Sequence, residues 1–252
     1  MPIDRSPVTH VADGDVGVLV VHGFSGNPFS VRGVADAMIH AGHDVEAPCL
    51  PGHGTTVDEL VDTRWHDWLG EVGAAADRLA ARCHRVVAIG QSMGGALVLA
   101  QAFTRPEIAG LVCINPVTRQ QDVAVMEMLE EFIADGLVSI PGGDRSDIAD
   151  PDGFDDAYDE TPLRPVVSAL RDGIGPMTDR FGELSMPLLL ITSRQDHVVP
   201  PADSEHLAAT YGGPVDHLWL ERSFHVATRD LERELVEAAA VEFVERHAVV
   251  PT

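Results

Sequence analysis

The sequence contains no lysine, so all 17 of its basic residues are arginines. Without a lysine amine the chain cannot form a Schiff base, attach pyridoxal phosphate or supply the lysine of a phosphate-binding loop. Acidic residues outnumber the basic ones by 40 to 17, which gives the chain a formal net charge of -23 at pH 7. Such a field repels nucleic acids and anionic membrane surfaces, and we therefore expect no nucleic-acid partner.

Cysteines and long apolar runs are scarce as well. The three cysteines, Cys49, Cys83 and Cys113, are odd in number and widely spaced, which favours free buried thiols in a reducing compartment. No stretch approaches the roughly 18 apolar residues of a membrane span, and no apolar run of signal-peptide length opens the sequence. These absences predict a cytoplasmic protein with no stable membrane insertion.

Short β-branched runs alternate with amphipathic segments along most of the 252 residues. Most of these runs are nearly continuous in apolar residues, as strands buried on both faces of a parallel sheet should be. The predicted strands cover residues 17–24, 43–48, 85–91, 110–117, 187–193 and 215–221, and the predicted helices cover 29–41, 64–82, 93–104, 201–211 and 230–247. The alternation predicts an α/β fold with a mainly parallel central sheet and helices on both faces.

One segment, residues 118–183, interrupts the alternation. It has no strand of buried character, and between Asp122 and Glu160 thirteen acids stand against a single base. A segment of this length inside a compact domain is usually a functional lid or is disordered, and the apolar run at 123–138 favours an ordered helical lid. The predicted organisation is a core of residues 1–117 and 184–252 with an inserted cap of residues 118–183.

The sequence GQSMG places Ser92 within the pattern G-x-S-x-G. An apolar strand precedes the motif and an apolar helix follows it, which is the context in which such a serine is exposed as a nucleophile. A plain helix N-cap is the alternative interpretation of Ser92, and the strand-turn-helix context disfavours it. Gln91 places a polar amide beside this serine.

A serine nucleophile needs a base, and the base needs an orienting acid. In hydrolases of this architecture the chain order is serine, acid and histidine, with both partners on loops at the ends of strands. Asp196 follows the strand that ends at Ser193, and His225 follows the strand that ends near Glu221. These two residues are therefore the predicted acid and base.

Several other residues compete for these two roles. His22 and His53 precede the serine, His197 adjoins the proposed acid, and His217 lies inside a predicted strand. Asp203 is the rival acid, but its surroundings resemble a helix start, where an aspartate stabilises the helix dipole.

The oxyanion of an attacked ester needs two converging N–H donors. The backbone of Met93, directly after the nucleophile, provides the first. The second is expected from the loop after an early strand, and HGFSGNP, residues 22–28, places Phe24 there. We interpret His22 as a structural hydrogen-bonding group and LPGHGT, residues 50–55, as a supporting loop.

Together these motifs resemble those of α/β-hydrolases, and more narrowly those of bacterial monoacylglycerol lipases and related small carboxylesterases. VLVVHGFSGNP, APCLPGHGT, WHDWLGEV, GQSMGGALVL, DHVVPP and SFHVATRD stand in the expected order along nearly the whole chain. The resemblance implies a triad of Ser92, Asp196 and His225, oxyanion donors at Phe24 and Met93, and a cap over an acyl-binding pocket. The chain departs from this group at residue 91, where leucine is frequent.

The resemblance also implies two cap residues that contact the substrate. DDAYDETP, residues 155–162, resembles a cap segment in which an acid contacts glycerol hydroxyls. Asp155 is the candidate for that acid, and Ile140 is expected to line the same pocket. A solvated acidic face is the alternative explanation for Asp155.

These observations predict a serine ester hydrolase that works through an acyl-enzyme and requires no metal or organic cofactor. The acidic cap disfavours anionic lipids, so neutral esters such as monoacylglycerols are the expected substrates. A general carboxylesterase and an acyltransferase with the same triad stay open as alternatives, whereas a non-catalytic binding protein would be expected to lack a triad residue. The acyl chain length, the alcohol half and the formation of a homo-oligomer also stay open.

Overall fold

The computed structural model describes residues 3–142 and 147–248. Within these residues, one sheet has seven strands and a separate ribbon has two. In chain order the strands are β1 (Val8–His10), β2 (Val16–Val21), β3 (Asp44–Ala47), β4 (Arg85–Gln91), β5 (Ile108–Ile114), β6 (Ser139–Pro141), β7 (Glu160–Pro162), β8 (Leu188–Ser193) and β9 (Val215–Leu220). The ribbon consists of β6 and β7.

The seven-stranded sheet has the order β1-β3-β2-β4-β5-β8-β9. Strand β1 pairs antiparallel with β3, and every other pair in this sheet is parallel. In the register of the two central strands, Val20 lies opposite Ile89. The predicted α/β architecture is confirmed. The edge strand β1 was not predicted, because three residues are too few to show a periodic pattern of apolar residues.

The helices follow the alternation predicted from the sequence. They are α1 (Arg32–His40), α2 (Val57–Val61), α3 (Trp65–Ala80), α4 (Met93–Ala102), α5 (Val123–Ala134), α6 (Leu163–Ser168), α7 (Gly175–Met177), α8 (Pro201–Thr210) and α9 (Arg233–Ala248). Single turns of other helix types cover Pro28–Val31, Ala169–Ile174, Phe181–Glu183 and Ala227–Arg229. Helix α5 ends four residues before the predicted apolar run does, because Gly136 adopts a φ of +91° just after it, a left-handed conformation typical of a helix end.

Apolar side chains of the central strands are buried on both faces of the sheet. Along β2, Val18 and Val20 pack in a cluster with residues of α1 and α9, while Leu19 and Val21 pack in a second cluster with residues of α3, α4 and α8. Successive strand residues point to opposite faces, so a continuous apolar run is what a sheet covered on both sides requires. This packing fixes the carboxyl ends of the strands, where the candidate site lies.

The proposed cap combines an exposed helix with a segment fastened to the core. No residue of α5 is buried, although the helix is fully described. Farther along, the Tyr158 hydroxyl donates to the Gly52 carbonyl oxygen at 2.9 Å and accepts the Thr55 N–H at 2.8 Å. Asp156 in turn accepts hydrogen bonds from the Arg5 guanidinium. The segment around residues 155–158 is therefore held against the core.

In the two described ranges of the chain, every helix is too short or too polar to span a lipid bilayer.

Candidate active site

The site lies where the chain leaves neighbouring strands in opposite directions. Strands β2 and β4 are adjacent, but the chain continues from β2 to β3 on one side and from β4 to β5 on the other. Such a change of direction opens a crevice at the carboxyl ends of a parallel sheet, where ligands bind in this class of fold. The loop after β2 and the turn after β4 form the two walls of that crevice.

Ser92 occupies the sharp turn between β4 and α4. Its φ of +55° and ψ of -120° are strained for a residue with a side chain. The turn can be this tight because a Cβ atom on Gly90 would clash with the backbone of Gly94, and one on Gly94 would clash with the carbonyl of Val21. Within the fully described helix α4, the Ser92 hydroxyl makes no capping hydrogen bond, so the structure does not support a helix-cap role.

Asp196 and His225 meet at the ends of β8 and β9. His225 Nδ1 lies 2.7 Å from Asp196 Oδ2, and both side chains are at most 8% exposed. The other carboxylate oxygen of Asp196 accepts the backbone N–H groups of Val198 and Val199, each at 2.8 Å. With both oxygens occupied, the carboxylate fixes the orientation of the imidazole. His225 lines the same cavity as Ser92.

Phe24 and Met93, the predicted oxyanion donors, lie on the two walls of the crevice. Met93 is the first residue of α4, where a backbone N–H has no carbonyl acceptor within the helix. Phe24 follows β2, and a Cβ atom built on the preceding Gly23 would lie 3.2 Å from Ser92 Cβ. Both residues line a cavity together with Ser92.

The competing histidines have other partners. His22 Nε2 accepts the Leu50 N–H at 3.1 Å, and His53 Nδ1 lies 3.1 Å from the Pro51 carbonyl oxygen. Burial lowers the pKa of His22 to about 3 and that of His53 to about 4, so both rings are neutral. His217 Nε2 lies 2.9 Å from the hydroxyl of a β8 threonine.

The rival acid also has a structural role. Asp203 Oδ2 accepts the backbone N–H groups of Thr118 and Arg119 at 3.2 and 3.3 Å. These residues begin the proposed cap, so this aspartate joins helix α8 to the start of that segment. Burial raises the pKa of Asp203 above its usual value.

Two cavities of different character meet at Ser92. The first, of about 280 Å³ and called the polar cavity below, has polar groups that include Ser30, Gln91, Asp155 and His225 among its lining residues, together with apolar ones such as Val226. The second, of about 230 Å³, is lined mainly by aliphatic side chains: Val117, Val166, Ala169, Leu170, Ile174, Val198 and Val199. Phe24, Ser92 and Val198 line both cavities.

Gln91 belongs to a chain of hydrogen bonds in the wall of the polar cavity. The Thr228 hydroxyl lies 2.7 Å from the Gln91 side-chain oxygen and 2.7 Å from the Ser30 carbonyl oxygen. The Ser30 hydroxyl donates to Asp155 Oδ1 at 2.7 Å. Burial raises the pKa of Asp155, and the hydrogen bond from Ser30 opposes that rise. The polar residue beside the nucleophile is thus bonded to the loop that carries the candidate base.

Ile140, the second cap residue expected to line the substrate pocket, lies outside the lining of the polar cavity. Ile140 pairs with Thr161 across the β6-β7 ribbon and is half-buried. Among the described residues of this ribbon and its end, Thr161 and Gly142 line the polar cavity, and Ile140 does not. The resemblance alone suggested Ile140, and a ribbon of two three-residue strands is too short for its register and facing to be deduced from the sequence.

Two residues near the base gave no sequence signal of their own. Asn115, which follows β5 with a φ of +45°, donates its side-chain N–H to the His225 carbonyl oxygen at 2.8 Å. Asp147, from the proposed cap, accepts the His225 N–H at 3.0 Å and lines the polar cavity. The position of Asn115 directly after a central strand could have marked it as a site residue. Asp147 could not be distinguished in the sequence from the other twelve acids between Asp122 and Glu160.

The chain is similar to known ester hydrolases over nearly its full length. The family model described as "Serine aminopeptidase, S33" matches residues 15–232. A thermostable monoacylglycerol lipase of Bacillus sp. (strain H-257) is 33% identical over 240 residues, which are 95% of this chain and 94% of the relative. A carboxylesterase of Bacillus subtilis (strain 168) is 28% identical over 92% of this chain and 94% of its own.

Solved structures give the same result. A chain from the metagenome-derived lipolytic enzymes LipS and LipT superposes with a TM-score of 0.89 at 35% identity, covering 96% of this chain and 98% of the other. The monoacylglycerol lipase of Paleococcus ferrophilus has a TM-score of 0.77 at 20% identity over 98% of this chain and 100% of its own, and it supports the fold alone. Given the extent of the family match and the 33% identity across 95% of its length, the chain belongs to the "Serine aminopeptidase, S33" family of α/β-hydrolases.

Proposed function

We propose that this protein hydrolyses carboxylic esters of neutral lipids, with monoacylglycerols as the preferred substrates. The observation that carries the proposal is the position of Ser92 at the boundary between a polar and an apolar cavity. A monoacylglycerol has a polar alcohol half and an apolar acyl half joined at one ester. The two cavities match these halves, and the ester carbonyl then lies at the serine.

In the proposed acylation step, Ser92 Oγ attacks the ester carbonyl carbon while His225 Nε2 takes the hydroxyl proton. The oxyanion receives hydrogen bonds from the N–H groups of Phe24 and Met93, a contribution of about 3 kcal/mol for each donor. Asp196 keeps the Nδ1 proton on the imidazole and stabilises the imidazolium. His225 then protonates the glycerol oxygen, the C–O bond breaks, and glycerol leaves through the polar cavity.

Deacylation uses the same groups in reverse roles. A water molecule enters from the polar cavity, His225 takes one of its protons, and the resulting hydroxide attacks the acyl-enzyme carbonyl. The bond to Ser92 Oγ breaks, and the proton on His225 returns to the serine. The products are a fatty acid and the free enzyme.

Charge supports a neutral substrate. Asp147 and Asp155 both line the polar cavity, and the whole chain carries a formal charge of -23. A phosphate in that cavity would be repelled by these carboxylates and would lose its hydration, whereas glycerol hydroxyls can donate to them. The same field favours departure of the fatty-acid anion after turnover.

The test is a chain-length series of monoacylglycerols assayed beside methyl esters and lysophospholipids of equal acyl length. We expect kcat/KM to be highest for the monoacylglycerols and lowest for the lysophospholipids. Ser92→Ala should abolish turnover and labelling by a fluorophosphonate probe, while Ser185→Ala at an exposed position should leave both unchanged. Equal kcat/KM values for monoacylglycerols and methyl esters would indicate a general carboxylesterase and contradict the proposal.

A further inference from the structure

Asp147 lies in the proposed cap, yet it bonds to both loops that carry the candidate acid and base. Its Oδ2 accepts the backbone N–H of His225 and that of His197, each at 3.0 Å. Its Oδ1 lies 2.7 Å from His197 Nδ1, and its carbonyl oxygen accepts the Val226 N–H at 3.0 Å. One residue of the cap therefore fastens the two loops to each other.

The backbone of His225 is held on both sides. Asn115 donates to the carbonyl oxygen of His225 at 2.8 Å, and Asp147 accepts the N–H of His225 at 3.0 Å. Asn115 directly follows strand β5 of the core, whereas Asp147 belongs to the proposed cap. With both flanking peptide groups fixed, the imidazole can move only by rotation of its own side-chain bonds, and the bond to Asp196 sets that rotation.

The bonds made by Asp147 are strong and shielded. Its side chain is only 14% exposed, and a carboxylate that accepts backbone N–H groups makes charge-assisted hydrogen bonds. Without this carboxylate, the N–H of the buried His225 loses the acceptor that now satisfies it. The loop would then relax, and a displacement of about 1 Å at a reacting group can cost about 100-fold in rate.

We propose that Asp147 is a positioning residue for ester hydrolysis, which aligns His225 with Asp196 and Ser92 by holding the backbone of His225. The alignment is then complete only when the segment that carries Asp147 is docked on the core. This inference rests on the proposed function, and it concerns a residue that acts on the base through its backbone. Asp196, by contrast, bonds directly to the imidazole ring.

The experiment compares Asp147→Ala with Asp152→Ala, which removes the same side chain from an exposed position five residues farther along. For a p-nitrophenyl ester, we expect Asp147→Ala to lower kcat about 10- to 100-fold with KM within about twofold of the native value. The low-field proton NMR signal of the His225 Nδ1–H should broaden or disappear in Asp147→Ala and persist in Asp152→Ala. Because a loss of folded protein would also lower the apparent kcat at an unchanged KM, kcat is calculated from the folded fraction, and the NMR signal is compared at equal concentrations of folded protein.

The proposal is overturned if kcat of Asp147→Ala lies within about twofold of the Asp152→Ala value, or if the loss appears in KM alone. If Asp147→Ala does not fold, Asp147→Glu decides the question, because it keeps the charge but moves the carboxylate by one methylene group. An intermediate kcat is then expected, and a native kcat would overturn the proposal. Failure of the native protein to hydrolyse any ester would contradict the proposed function, whereas the NMR comparison still tests the role of Asp147.

Discussion

The two cavities that meet at Ser92 differ in how their walls are built. Polar side chains that line the first cavity already have hydrogen-bond partners, because the Ser30 hydroxyl donates to Asp155 and the Gln91 oxygen is bonded to the Thr228 hydroxyl. The walls of the apolar cavity are mainly aliphatic side chains, most of them from the proposed cap and from the loop after β8. The polar cavity therefore selects a substrate group by the directions of its hydrogen bonds, whereas the apolar cavity selects an acyl chain by its volume.

This difference has a consequence for specificity. A site that hydrogen-bonds a substrate discriminates strongly against analogues that leave its buried groups unpaired, whereas an aliphatic pocket discriminates weakly between chains that differ by one methylene. We therefore expect the protein to be more selective for the alcohol half of its substrate than for the length of the acyl half.

Acidification should destabilise the folded protein through two histidines beside Phe24, which lines both cavities. Phe24 packs edge-on against His53 and Trp68, and the neighbouring His22 holds the loop to Leu50. The unfolded chain protonates both histidines below pH 6.5, whereas the folded state keeps them neutral because their pKa values are about 3 and about 4. Stability is therefore lost as the pH falls below 6.5, by about 2 kcal/mol for each histidine at pH 5.

Urea unfolding at pH 7 and at pH 5 measures this loss. His22→Asn should reduce the dependence of the unfolding free energy on pH, while replacement of the exposed His84 by glutamine should leave it unchanged. The same pH dependence in His22→Asn as in the native protein would contradict the expectation.

Filling the apolar cavity should affect long acyl chains alone. Ala169 is buried and lines this cavity, so Ala169→Leu removes space for about two to three methylene groups. At about 0.8 kcal/mol for each buried methylene, kcat/KM for long-chain monoacylglycerols should fall about 30-fold.

Butyrate esters provide the internal control for this substitution, because their acyl chain does not need the filled space. Ala209→Leu adds the same side chain at an exposed position and should leave the whole series unchanged. An equal loss for butyrate and long-chain esters would show that the substitution damages the site rather than the pocket.

Neutralising the polar cavity should produce the smallest change. Asp155→Asn keeps a group that can accept from Ser30 but replaces a charged acceptor for glycerol hydroxyls by a neutral one. A loss of about 1.4 kcal/mol, or about tenfold in kcat/KM, is expected for monoacylglycerols, with little change for p-nitrophenyl esters of equal acyl length. Asp152→Asn is the matched control, and an unchanged ratio between the two ester classes would argue against contact with glycerol.

The sequence predicted the sheet better than the proposed cap, for physical reasons. Strands such as β4 and β5 are buried on both faces, so their residues form nearly continuous apolar runs that are visible without any tertiary information. Short elements such as β1 and α2 depend on their packing partners and carry no such signal. In the segment of residues 118–183, helix α5 was visible from its apolar run, whereas the ribbon of β6 and β7 was not.

The residues of the candidate site also differ in how well the sequence predicted their positions. Ser92, Asp196 and His225 follow strands in a fixed chain order, and the structure brings the acid and the base together at 2.7 Å. Asp155 lies in the polar cavity with the serine, as its motif suggested, but Ile140 does not. Asp147 could not be singled out, because hydrogen bonds between a cap residue and two distant loops leave no pattern in the sequence.

The buried contact between Gln91 and Thr228 also constrains how this chain can change over evolutionary time. With leucine at position 91, the Thr228 hydroxyl would keep the Ser30 carbonyl oxygen as its acceptor, whereas valine at position 228 would leave the Gln91 amide facing an apolar side chain. Replacement of Thr228 alone is therefore more costly than replacement of Gln91 alone. Among homologous chains, a glutamine at position 91 should accordingly be inherited together with a hydroxyl at position 228, whereas a hydroxyl at position 228 is compatible with either residue at position 91.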